Sequence, residues 1–273
     1  MAISPPKTEL ETLTPVGMLG YGFGEQIFWE AIEEGADAII LDSGSTDSGT
    51  SKLALGDTTV SQEVYERDLA ILVQVCHSHR VPILISSAGG DGENAHVDMF
   101  VEIISKLISH HGYRSLNVLS IYAEVPKDFA PREAGRRIYQ PCSRAVPQLL
   151  GKDIEDSTRI MVQMGHEPYL QAKLDHPDFD ITIGGRAYDP APYAAFCVHH
   201  SFKDLGHMGK IMECGALCST PALAIVRHDN FDIVPLDPMS RCTVISVAAH
   251  SLYEKTRPDI LHGPGGALLL SDA

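Results

Sequence analysis

The strongest constraint on the fold is a set of short runs in which apolar residues occupy successive positions rather than alternate ones. They lie at Val16–Leu19, Ala38–Leu41, Pro82–Ser86, Asn117–Tyr122, Ile160–Gln163 and Asp180–Ile183. A strand that is apolar on both faces must be covered on both, which is the condition of a parallel sheet between two helical layers. Stretches with helical periodicity separate the runs. In "NAHVDMFVEIISKLISHH", Val97, Phe100, Val101, Ile104, Leu107 and Ile108 recur at three- and four-residue intervals, forming one helix face. "SQEVYERDLAILVQVCHSHR" carries a comparable face at Val64, Leu69, Leu72, Val73 and Cys76, and "GEQIFWEAIEEG" fits a helix entered at Gly24 and closed by Gly35. This alternation predicts a doubly wound α/β fold with a mostly parallel sheet.

Beyond about residue 215 the rhythm weakens, and "TPALAIVRHDNFDIVPLDP" reads as short strands and turns. The expected organisation is an N-terminal extension over 1–15, an α/β core over 16–215 and an irregular C-terminal strand/helix subdomain over 216–273.

Net charge narrows the partners. The chain of 273 residues carries a formal charge of -15, the wrong sign for a protein that must displace counterions from a phosphate backbone, so no nucleic-acid partner is expected. No apolar run approaches the roughly 20 residues of a membrane helix, and "MAISPPKTEL" lacks a charged-then-apolar leader pattern. A soluble, cytoplasmic protein without a membrane partner is the expectation. The six cysteines (Cys76, Cys142, Cys197, Cys214, Cys218 and Cys242) are scattered, so reduced thiols are expected; Cys214 and Cys218 stand one helical turn apart without a second pair at zinc-ribbon spacing. A homo-oligomer, or one subunit of a larger assembly, is the default for an acidic protein of this size.

In parallel sheets ligands collect where strands end and helices begin. Four loops here occupy such places: "LDSGSTD", "SSAGGDGENAH", "MGHEP" and "GGRAYDP". Their convergence on one crevice is the central expectation. The first places Asp42 and Asp47 around Ser43 and Ser45. In the second, Gly89 and Gly90 open the backbone to an anion, or else form a tight turn that packs strand on helix; the P-loop lysine is missing. Asp91 in that loop is a metal ligand or a helix cap. In the fourth, Arg186 is either a bidentate clamp for a substrate carboxylate or the ion-pair partner of Asp189 or Asp42. Asp189 before Pro190 also reads as an N-cap.

Proton-transfer candidates are His166, beside Glu167, and Glu213, beside Cys214; burial would bring such groups towards neutrality. His250 and Glu254 share a helix face at i, i+4, half of a metal site at most. A divalent cation on Asp42, Asp47 and Asp91 is an option because oxygen ligands suit magnesium, although the spacing is not that of a calcium loop.

Taken in order, "ADAIILDSGSTDSG", "VPILISSAGGDG", "MVQMGHEPYLQAKL", "ITIGGRAYDPAPYAAF", "HMGKIMECGAL" and "SVAAHSLYE" resemble the acyclic terpene utilisation (AtuA) family, N-terminal domain. The resemblance runs from about Val16 to Gly266. It departs where "GTSKLALGD" replaces an expected glycine-proline-tyrosine stretch, and family members usually continue beyond the equivalent of Ala273. It implies a cytosolic α/β protein connected with the metabolism of branched or terpenoid acids, through carboxylate or acyl-thioester intermediates, with acyl-CoA as a possible substrate.

The leading expectation is therefore a lyase or hydratase acting next to a carboxylate or acyl-thioester carbonyl. Such chemistry needs a base for an α-proton, an acid for the leaving group and donors for an enolate-like oxygen. Asp42 or Asp47 is cast as base or water-orienting carboxylate, and His166 or Glu213 as acid. Arg186 is cast as clamp and the amides around Gly89 and Gly90 as oxyanion donors, with Ser43, Ser45, Asp91 and Asp189 completing the binding set. The alternatives are a non-catalytic small-molecule-binding subunit or sensor, and a cysteine-dependent hydrolase using Cys214.

Overall fold

A computed structural model of the chain describes residues 7–44, 46–129, 140–141, 145–202, 206–214, 221–252, 257–264 and 266–270, with backbone alone at 46–48. The elements, in chain order, are β1 (Glu9–Thr14), α1 (Glu25–Glu34), β2 (Ala38–Asp42), α2 (Thr46–Leu55), α3 (Gln62–His79), β3 (Ile83–Ser86), α4 (Asn94–His111) and β4 (Val118–Ile121). There follow α5 (Gly151–Asp156), α6 (Glu167–Asp175), β5 (Ile181–Gly184), α7 (Ala191–His199), α8 (Gly206–Glu213), β6 (Ala222–Arg227), β7 (Phe231–Pro235), α9 (Val244–Leu252), β8 (Ile260–Gly263) and β9 (Gly266–Leu269).

Seven strands form one sheet in the order β4-β5-β3-β2-β1-β6-β7. The first five run parallel, and β6 and β7 extend the β1 side antiparallel. The apolar runs have the explanation expected of them. Ile39, Leu41, Ile83 and Ile85 face the cluster that contains Phe28, Leu72 and Phe100 of α1, α3 and α4. Ala38, Ile40 and Leu84 face the opposite cluster, with Tyr193 and Phe196 of α7 and Met208 and Met212 of α8. Two helical layers therefore enclose the sheet, a doubly wound α/β arrangement.

Helix ends follow the glycine signals. Gly24 precedes α1, and Gly35 closes it at φ 111° with its amide donating to the Ala31 carbonyl.

Three expectations about strands are corrected. Val16–Leu19 is a buried loop, not a strand: the Leu19 amide donates to the Asp42 carbonyl, and Asp68 Oδ2 accepts the Gly20 and Gly22 amides at 2.9 and 3.1 Å. The first strand is Glu9–Thr14 instead, within the stretch expected to be an extension, and it lies inside the sheet between β2 and β6. Its alternating character hides that position, because Thr12 and Thr14 are fully buried polar residues; Thr14 Oγ1 donates to the Ile40 carbonyl at 2.9 Å and meets the Tyr193 hydroxyl at 2.7 Å. Ile160–Gln163 makes only isolated bridges, Glu124 to Met161 and Met164 to Ala187 nearby. Within 216–273, β6 and β7 belong to the main sheet, whereas β8 and β9 form a separate hairpin.

Candidate functional site

The parallel strands end together. Asp42 closes β2 and pairs in register with Ser86, which closes β3. Main-chain hydrogen bonds then stitch the three strand-end loops and the Met164–Glu167 segment to one another. The Ser43 amide donates to the Ser86 carbonyl, Ser87 and Ala88 donate to Gly185 and Gly184, Arg186 donates to Gly92, and Met164 donates to Arg186. Helix α2 comes against this junction: a Cβ at Gly49 would lie 3.7 Å from both Arg186 Nη1 and the Gly90 carbonyl oxygen.

Within the junction sits a group of buried charges. Asp42 is buried and accepts the Ser86 hydroxyl at 2.7 Å. Burial raises its pKa above the ordinary carboxylate range and Glu213 adds to the rise, while Arg186 and the Ser86 and Ser87 hydroxyls oppose it. Glu213, at the end of α8, is pushed up to about 7, by burial first and then by Asp189; Lys210 and Cys214 pull the other way. Lys210 Nζ stands 2.5 Å from Glu213 Oε1, and both side chains are buried. His250 reaches the same place from α9, its Nε2–H donating to the Lys210 carbonyl at 2.8 Å and lying 3.8 Å from Glu213 Oε1.

Arg186 is the edge of the group that meets solvent, with 15% of its side chain exposed. Its Nη2 lies 4.0 Å from Asp189 Oδ1, too far for a hydrogen bond, and its charge also acts on Asp42. The ion-pair reading of this arginine thus has a physical basis, through Asp42 as well as Asp189. Asp189 is not the cap of α7, which starts at Ala191 behind Pro190; its carboxylate acts on Glu213 and Cys214 instead.

The glycine loop corresponds to the tight-turn alternative. The Gly90 amide donates to the Ser87 carbonyl at 3.0 Å, and Gly89 and Gly90 are buried beneath His96 and Thr59, so Gly90 offers no donor to an oxyanion. Asp91 Oδ1 accepts the Glu93 amide at 3.0 Å and meets His96 Nδ1 at 2.7 Å, just ahead of α4, which is a helix-entry role; Oδ2 is buried with no hydrogen-bond partner among the described residues. Ser43 is fully buried beside the Tyr65 phenol. Ser45 lies outside the described residues, as does the side chain of Asp47.

His166 caps α6 and, half-buried, lines a pocket of about 270 Å³ with Tyr188 and the β8–β9 hairpin. That lining shares no residue with the Asp42, Arg186 and Glu213 group. Burial and the neighbouring carboxylates push the Cys214 thiol up, the opposite of what a nucleophilic thiolate requires. Cys76, Cys197, Cys214 and Cys242 are in no disulfide; Cys142, Cys218 and Glu254 lie outside the described residues. Among the described residues no group of three His, Cys, Asp or Glu side chains is placed to hold a metal ion, and no helix is long and apolar enough to cross a membrane.

Two members of the group escape a motif reading. Lys210 carries only the i, i+3 spacing to Glu213, and His250 points to Lys210 across 40 positions of sequence. No family model matches the chain, and no curated protein or solved structure matches it.

Proposed function

We propose that the chain is an enzyme of lyase or hydratase type that moves a proton next to a carboxylate or acyl-thioester carbonyl. The observation that carries this reading is the burial of two carboxylates, Asp42 and Glu213, the second of which adds to the rise of the first, with Arg186 at the solvent edge. A glutamate near half-protonation at neutral pH can take a proton and return it, which is the requirement on a general acid–base. In this reading Arg186 binds the substrate's carboxylate, supported by its guanidinium geometry. Glu213 transfers the proton, with Lys210 and His250 setting its charge and position, and Asp42 orients water or takes the second proton. The motif resemblance to the acyclic terpene utilisation family points the same way.

The test begins with thermal-shift screening against carboxylic acids and acyl-CoA thioesters, with and without magnesium, followed by mass-spectrometric product search on each stabilising compound. With a turned-over substrate in hand, Glu213→Gln is expected to lower kcat by at least about 100-fold, the lower end of what a general acid–base supplies. Arg186→Ala is expected to act mainly on KM. Folded variants with unchanged turnover would refute these assignments, and binding without conversion would identify a sensor or binding subunit instead.

A further inference from the structure

Among the described residues, three other than glycine have a positive φ. Arg80 (φ 59°) and Ser201 (φ 67°) stand just past the ends of α3 and α7, where a left-handed residue commonly closes a helix. Ser87 (φ 51°) instead follows the strand β3, where a residue with a Cβ has no such reason to leave the extended region. Outliers of this kind persist only where the surroundings hold them, and they concentrate at functional sites.

The side chains show what this turn achieves. Because side chains alternate along a strand, Asp42 and Ser86 lie on the sheet face of Ile40 and Leu84, towards α7 and α8. Continued extension would send Ser87 to the opposite face. The left-handed step brings it back: a Cβ on Gly44 would lie 2.6 Å from Ser87 Cβ and 2.9 Å from both Ser87 Oγ and Asp42 Oδ2. Two consecutive serines therefore serve one carboxylate, the Ser86 hydroxyl donating to Oδ1 at 2.7 Å and the Ser87 hydroxyl acting as a second donor.

Ser87 also holds both neighbours of Arg186. Its amide donates to the Gly185 carbonyl at 3.1 Å, and its Oγ stands 3.5 Å from the Ala187 amide nitrogen. Its carbonyl accepts the Gly90 amide at 3.0 Å. The residue itself is fully buried, so its hydroxyl serves the protein's own groups rather than a solvent-borne ligand.

We propose that Ser87 is a positioning residue: its left-handed backbone brings a second hydroxyl to Asp42 and fixes that carboxylate against the loop that carries Arg186. The use of Asp42 in turnover rests on the proposed function; the hold on its carboxylate is measurable without it. A hydroxyl donated to a carboxylate favours the charged form, so removing it makes the proton harder to release. A serine that only filled space would leave Asp42 indifferent to the hydroxyl.

The experiment follows the Asp42 carboxyl by carbon NMR in the full-length protein labelled at the aspartate side-chain carboxyls, with Asp42→Asn identifying the resonance. Arg186 and Glu213, the charged groups that act on Asp42, are unchanged in every other variant. Ser87→Gly suits the left-handed backbone and is expected to raise the Asp42 midpoint by at least about one pH unit, as loss of a hydrogen bond to a charged group implies. Ser87→Ala should raise it equally, with a lower urea midpoint than Ser87→Gly because the methyl side chain stays in the left-handed region. Gly44→Ala, which places a methyl group between the two side chains and removes neither, should also move the Asp42 midpoint upward. An unmoved midpoint in folded Ser87→Gly would overturn the proposal, as would an unmoved midpoint in folded Gly44→Ala. On a turned-over substrate, the acid limb of the kcat profile should rise with the NMR midpoint. A limb that stays while the midpoint moves would sink the catalytic role of Asp42 and leave the hold of Ser87 intact.

Discussion

Replacing Glu213 by Gln should flatten the dependence of folding stability on pH. Glu213 is buried, and its pKa is pushed from the ordinary 4.5 up to about 7. Between those two values the folded chain holds a proton that the unfolded chain has released. The folded state therefore carries no penalty from this group below 4.5 and loses stability as pH rises through the window to 7. Linkage gives a penalty of about 0.8 kcal/mol at pH 5 and about 3.3 kcal/mol at pH 8, so about 2.5 kcal/mol is lost between them. Glutamine keeps the shape and cannot ionise. The wild type minus variant difference should consequently change by about 2.5 kcal/mol between pH 5 and pH 8, in the direction that favours the variant at pH 8.

The assay is urea unfolding of both proteins at pH 5, 6, 7 and 8, with equal m-values required before the free energies are compared. Taking the difference cancels groups common to both chains. Asp42 does not cancel completely: its own rise depends partly on Glu213, so the variant also relaxes Asp42 and the change in the difference is if anything enlarged. The absolute offset between the proteins is a separate matter, because glutamine also removes the negative charge that stands 2.5 Å from the buried Lys210 ammonium. Only the slope with pH reports the raised pKa. A difference independent of pH over this range would refute the reasoning, and with it the claim that Glu213 is poised for proton transfer near neutrality.

Other substitutions test the surrounding architecture. Gly92→Ala should cost at least about 2 kcal/mol in urea unfolding, since Gly92 has φ 76° and a Cβ there would lie 2.2 Å from the Arg186 amide nitrogen. Gly35→Ala, with φ 111° but nothing within 4 Å, should cost only about 1 kcal/mol, which separates backbone conformation from crowding. Tyr169→Phe should be neutral or stabilising by about 1 kcal/mol, because the buried Tyr169 hydroxyl has no hydrogen-bond partner among the described residues. Lys173→Met should stabilise the chain. Burial lowers the Lys173 pKa to about 7 from 10.5, so the folded state loses stability as pH falls through that window, and the variant's advantage in urea unfolding should widen by about 2 kcal/mol from pH 9 to pH 7.

The contrast between β1 and β2 shows which parts of this fold sequence can express. Ala38–Asp42 is apolar at four successive positions because helices cover both sides, and that covering is a local fact repeated in each residue type. Glu9–Thr14 is just as central, yet its buried Thr14 depends on an acceptor in β2 and a hydroxyl on α7, far along the chain. No window of sequence contains those partners. The site divides in the same way. That three of the four loops meet follows from the rule that parallel strands end on one side, so their convergence was legible before any side chain was placed; the fourth, "MGHEP", follows no strand and joins them through the Met164 and Arg186 backbones. Which residues in those loops stay available was not. Oδ1 of Asp91 is taken by His96 and the Glu93 amide, and Gly90's amide by Ser87, through turns whose geometry is set by the loop as a whole. Glu213 acquires its character from burial first and then from Asp189 brought in by another element, opposed by Lys210 one helical turn back, with His250 3.8 Å away on α9. A carboxylate's chemistry here is a property of the packing of α7, α8 and α9, and that is why a residue reading alone could place Glu213 among the candidates but could not rank it above His166.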